Sequence, residues 1–132
     1  MKKHVYVLLL NCLVFTQCRN HYLSNFDKIY FPNKKEALYL KQYSEVSSIY
    51  IIISSSKSKR YNPESKRDIV FNEEAVFYRY TSDSLLLYCR IEPKINKKYC
   101  GKIAVKYTKI SNLVFYEMWD HYNEKGLIKF PR

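Results

Sequence analysis

Apolar and polar residues alternate along much of the chain with the two-residue period of strands, not the longer period of helices. In residues 102–109, Ile103, Val105 and Tyr107 fall on one face and Lys102, Lys106 and Thr108 on the other. That is the pattern of a half-solvated antiparallel strand. Residues 85–91 repeat it, with Leu85, Leu87, Cys89 and Ile91 on the inward face. Ahead of them, 69–71 and 75–80 keep the strand signature, and the polar Thr81, Ser82, Asp83 and Ser84 close a hairpin. The run Ile49-Tyr50-Ile51-Ile52-Ile53 is too short and too β-branched to favour a helix and reads as a buried strand. Residues 27–40 read as a hairpin or a short helix, turned at Pro32-Asn33-Lys34-Lys35. Residues 113–119 fit strand or helix, 120–126 form a turn, and 127–130 close the chain. Between 54 and 68 no apolar period survives, and Ser, Asn and Pro mark a long exposed loop.

These elements predict a mainly β fold: one small antiparallel sandwich or barrel-like sheet of about six to eight short strands, with room for one short helix. Composition agrees. The 14 Tyr and 7 Phe stand against only 2 Gly, which favours strands. A length of 132 residues sets one domain and one core, 47% hydrophobic residues exclude a disordered chain, and 27% charged residues exclude a polytopic membrane protein.

The N-terminus breaks the alternation. Met1-Lys2-Lys3-His4 precedes the uncharged, mostly apolar stretch 5–15, and polar Arg19-Asn20-His21 follows. A basic start and a short apolar run read as a secretory signal. As a helix the stretch would span about 17 Å, little more than half of a hydrocarbon core of about 30 Å. The run ends at Phe15-Thr16-Gln17-Cys18, which resembles the lipobox of bacterial lipoproteins, in the relaxed form found in the Bacteroidetes group. It departs from the common pattern at Phe15, where Leu is usual, and at Gln17, where a small residue is usual. The resemblance implies a signal peptide at 1–17, cleavage before Cys18, and acylation of Cys18, with 18–27 as a lipid-anchored tether and 28–132 as the all-β domain. Cys12, in Leu9-Leu10-Asn11-Cys12, is a second candidate with a shorter apolar run before it. Two or more acyl chains anchor stably where one is marginal. In such lipoproteins surface export goes with an acidic cluster after the cysteine, and Arg19-Asn20-His21-Tyr22-Leu23-Ser24 has none, which implies a periplasm-facing position.

On this reading Cys89 and Cys100 remain as an even pair in an oxidising compartment, flanking a turn-like segment. A disulfide between them is one expectation, and two unpaired core cysteines the other. No CxxC or HxxxH spacing suits zinc. His121 adjoins Asp120, but neighbours on a strand face opposite ways, so it reads as a surface histidine. With glycine only at Gly101 and Gly126 there is no phosphate-cradling loop. The expectation is therefore no enzyme, no cofactor and no metal.

Charge points elsewhere. The chain carries 23 basic and 12 acidic residues, a net +11. Removing Lys2 and Lys3 with the leader leaves 21 against 12, so +9 stays with the domain, spread over strand faces as well as one loop. Within 57–68, Lys57, Lys59, Arg60, Lys66 and Arg67 outnumber Glu64 and Asp68, making them candidates for binding an anion, against the plainer reading of a solvated loop. In an envelope the anion is a phospholipid headgroup, a lipopolysaccharide phosphate or an acidic polysaccharide. An export signal argues against nucleic acid. Tyr78, Tyr80, Tyr88, Tyr107 and Tyr116 offer a weaker lead to a sugar or peptide surface, set against ordinary cross-strand packing. The sequence thus predicts a small exported lipoprotein with a binding or structural role in the cell envelope. Its alternatives are an inhibitor or immunity-type module against an envelope enzyme, and a small hydrolase with a dispersed site.

Overall fold

Strand β1 (Tyr22–Phe31) passes through a 3-10 turn at Pro32–Lys34 into β2 (Glu36–Ser44). Proline supplies the φ that the turn needs, and Lys35, at φ 51°, donates its N–H to the Pro32 carbonyl. β3 (Ile49–Ser54) and β4 (Ile69–Phe71) continue the pairing, so the first sheet is an antiparallel meander in the order β1-β2-β3-β4. The computed structural model describes residues 22–132. The expected leader at 1–17, with Cys12, and the lipidation site Cys18 lie outside the described residues.

The second sheet contains β5 (Val76–Tyr80), β6 (Ser84–Cys89), β7 (Tyr99–Cys100), β8 (Ile103–Lys109) and β9 (Ile128–Phe130), in the order β7-β8-β6-β5-β9. Helix α1 (Asn112–His121) joins β8 to β9. Ser111 caps it, its Oγ accepting the Val114 N–H at 3.3 Å.

Alternation decides which side chains meet. Ile29, Phe31, Leu38, Leu40, Ile51, Ile53, Ile69 and Phe71 from the first sheet join Val76, Tyr78, Leu85, Leu87, Ile103, Val105 and Phe130 from the second in one buried cluster. Each such side chain contributes roughly 1.5–3 kcal/mol by leaving water. The outward residue Phe77 and nearby Ala75 meet Phe115 and Met118 of α1 and Leu127 in a second cluster. Arg90 pins the helix from above. Its guanidinium lies 3.8 Å from the Phe115 ring centroid and pairs with buried Glu73 at 3.0 Å and with Glu74 at 3.2 Å. Gly101, at φ 58°, lets the β7–β8 turn close onto Glu36, whose carboxylate accepts the Lys102 N–H at 2.8 Å. A Cβ at Gly101 would run into that carboxylate.

The mainly β expectation holds, and its details change. There are nine strands in two sheets among the described residues, and neither sheet closes into a barrel. β8 pairs parallel to β6, because residues 90–98 carry the chain back before β7 and β8 are laid down. Residues 22–27, expected in the tether, belong to β1; inward Asn25 and Asp27 break the apolar period that would have revealed it. Residues 113–119 are helical. The Cys89–Cys100 disulfide is corrected: both thiols are free and buried. Cys100 pairs across from Ile103 and Cys89 from Lys109, at opposite ends of β8. Six residues of strand are about 20 Å, well beyond the Cα separation of about 7 Å that a disulfide tolerates. No helix among the described residues is long and apolar enough to cross a membrane.

Candidate anion-binding pocket

The segment between β3 and β4 is the long exposed loop expected, and it lies along the outer face of the first sheet. The opposite parity from Leu38 and Leu40 puts Tyr39, Lys41 and Tyr43 of β2 on that face. There side-chain contacts hold the segment to the sheet. The Tyr43 hydroxyl donates to the Lys59 carbonyl at 2.8 Å, the Tyr43 and Tyr61 rings lie 5.0 Å apart, and Lys59 Nζ lies 5.4 Å from the Phe26 ring centroid. Tyr43 and Ile52 are buried as a result.

A cleft of about 540 Å³ opens between the segment and the sheet. Its charged lining is Lys41, Arg60, Lys66, Arg67 and Asp68, four cations against one carboxylate. Lys41 is decisive, because only 3% of it is exposed. Burial holds its pKa below the ordinary lysine value, opposed by the attraction of Asp68. None of these five side chains makes a hydrogen bond or a close ion pair among the described residues.

Serines complete the wall. Ser54 Oγ accepts the Ser56 N–H at 3.0 Å, Ser56 Oγ the Ser58 N–H at 3.2 Å, and Ser58 Oγ the Arg60 N–H at 3.3 Å. Ser65 Oγ accepts the Arg67 N–H at 3.4 Å. A hydroxyl that uses a lone pair in this way keeps its O–H free to donate. The wall therefore offers donors and positive charge, the chemistry that receives an oxyanion.

Residues alternate across the segment. While Ser58, Arg60 and Asn62 line this cleft, Tyr61, Pro63 and Glu64 line a second one of about 560 Å³ on the other side, with Glu45, Tyr50 and Glu92. The Tyr61 hydroxyl donates to Glu45 at 2.5 Å, and burial and that carboxylate hold it protonated above the ordinary tyrosine range.

Of the five basic residues singled out in the sequence, Arg60, Lys66 and Arg67 meet in the basic cleft, while Lys57 and Lys59 do not line it. Lys41 was missed. Its parity with Tyr39 and Tyr43 marked an outward position, but the cover that buries it lies about twenty residues further along the chain. His121 is exposed at the end of α1, its Nδ1 3.3 Å from Glu124 and not from Asp120. The five tyrosines do not form a row. Tyr78 is in the core, Tyr88 packs at the helix side, Tyr107 donates to the Lys97 carbonyl at 2.7 Å, and Tyr80 and Tyr116 are exposed apart from one another. Compared with known protein families, with curated proteins and with solved structures, the chain matches none.

Proposed function

We propose that the protein is an exported binding protein of the cell envelope, a β-sandwich tethered through lipid on Cys18 and facing the periplasm, whose basic cleft takes an anionic envelope component. The observation that carries the binding role is Lys41, a buried ammonium with no close partner among the described residues, facing a cleft whose other cations are likewise unpaired among them. Burying a charge without a partner is costly. A chain that keeps one there gains when an anion supplies the missing charge.

The sandwich arrangement is supported by the single cluster that draws side chains from both sheets. The tether is supported by Phe15-Thr16-Gln17-Cys18 after the apolar run, and intact mass of the membrane-extracted protein reads it directly. Replacing Arg60, Lys66 and Arg67 by Gln is expected to abolish salt-sensitive retention on heparin and on vesicles rich in phosphatidylglycerol. Replacing Lys57, Lys102 and Lys106, exposed lysines that do not line the cleft, by Gln is expected to leave most of it. Equal loss from both sets would point to general surface charge and overturn the cleft as the site.

A further inference from the structure

Resting on the anion-binding reading, the chemistry of the cleft narrows the ligand further. A cleft built for a bare oxyanion needs only donors and cations. This one also carries Asp68, a half-buried carboxylate just before β4 that makes no hydrogen bond or close ion pair among the described residues. Asp68 acts electrostatically on Lys41, yet the two stay apart, as do Asp68 and the three other cations. Opposite charges that share a cleft without closing on one another leave room for a group that bridges them. The bridging group must accept from Lys41, the other cations and the serine hydroxyls, and must donate to Asp68.

We infer that the cleft takes a phosphate group that carries an O–H donor, either its own P–OH or a hydroxyl on the carbon skeleton attached to it, with Asp68 accepting that donor. Hydrogen phosphate keeps a proton at neutral pH and meets the requirement alone. Sulfate is similar in size and charge but carries no proton there, so its oxygens face the carboxylate with nothing to donate. An acceptor left facing an acceptor repels and stays unsatisfied, and such a site disfavours the ligand that lacks the donor. The volume of about 540 Å³ exceeds a single phosphate and accommodates a polyol on it, such as glycerol. Asn62, in the same wall, can donate to a hydroxyl oxygen or accept from a hydroxyl.

The test titrates the full chain, in non-ionic detergent, with inorganic phosphate, sulfate and sn-glycerol 3-phosphate, following backbone amide signals of residues 54–68. Vesicles containing phosphatidylglycerol provide a separate arm. Phosphate and glycerol phosphate are expected to bind saturably, and sulfate about tenfold more weakly or worse. In Asp68→Asn, whose amide donates as well as accepts, the preference over sulfate is expected to shrink towards unity. Lys41→Met is expected to weaken phosphate binding by about tenfold to a hundredfold while the amide spectrum outside the cleft stays native. Binding of the soluble phosphates identifies a free ligand. Binding only to the vesicles, weakened by Asp68→Asn, identifies a lipid headgroup with the same chemistry. Equal affinity for sulfate and phosphate, or a preference that Asp68→Asn leaves unchanged, would overturn the donor requirement and leave the anion cleft standing. Failure of every oxyanion and of the vesicles to bind would overturn both.

Discussion

Cys89 and Cys100, buried without a bond between them, set an alkaline limit on the fold. Burial first, and then the carboxylates Glu73 and Glu92, push the Cys89 thiol up to about 12, while burial and Asp68 push Cys100 up to about 11. The ordinary thiol value is 9.0. Below it both folded and unfolded chains keep these protons, and the thiols contribute nothing to pH dependence. Above it the unfolded chain loses them first, the folded state binds more protons, and stability falls as pH rises. Each thiol is then worth about 1.4 kcal/mol per pH unit at most. Tyr107, half-buried and pushed up by desolvation to about 12 from 10.0, adds to the fall above pH 10. Urea unfolding at intervals between pH 8 and 10.5 is expected to show stability level at first and declining above about pH 9. The double variant Cys89→Ala with Cys100→Ala is expected to start lower but decline less steeply between pH 9 and 10. An unchanged slope would separate the thiols from the effect. Cys89 was legible as an inward residue from the strand alternation around it, and Cys100 as a core residue only through the alternative of two unpaired cysteines. Their separation was not, because it depends on which strand lies between them.

Strands with a clean alternation were legible one by one: β3 from its β-branched run, β5 and β6 from apolar runs about a polar turn, and β8 from strict alternation. Partner and direction were not. Nothing in 102–109 distinguishes parallel from antiparallel, since both bury the same residues. Helix α1 stayed ambiguous because its apolar stretch is short, with only Phe115 and Met118 buried. What fixes the helix in place is a residue outside it. Arg90 stacks on Phe115 and neutralises Glu73, a carboxylate whose side chain is 1% exposed and which also accepts the Arg90 N–H at 3.1 Å. Removing one partner of such a pair strands a buried charge, while removing both is far milder. Arg90→Met is therefore expected to cost about 3 kcal/mol in urea unfolding. Adding Glu73→Gln to it should recover a large part of that loss. Additive losses in the double variant would mean that Arg90 acts through its stack on Phe115 and not through Glu73.

At the scale of the whole molecule, the cleft comes from a long connection laid back on a sheet, which is why its basic half was legible in the sequence and its floor was not. Charges gathered within 57–68 are local in the chain, whereas Lys41 joins them only once β2 and β3 have paired and the segment has docked. Docking and folding can be separated by experiment. Ile53 pairs with Ile69, so the ends of the segment are already neighbours, and a two-residue Asn-Gly turn in place of residues 55–67 can close the β3–β4 hairpin. Shortening the loop lowers its closure cost by about 1.6 kcal/mol. Baring Tyr43 and Ile52, both now buried, forfeits roughly 1.5–3 kcal/mol for each. Burial outweighs the closure gain, and the relief of re-solvating Lys41 narrows the difference. The shortened protein is expected to keep the far-ultraviolet spectrum of two sheets and a helix, unfold cooperatively at lower urea, and bind a hydrophobic dye through the bared face. It should also lose phosphate binding outright. Retained binding would show that the docked segment is not the wall of the site. Loss of cooperative unfolding would show that it is a part of the core, and that the first sheet depends on cover from both faces.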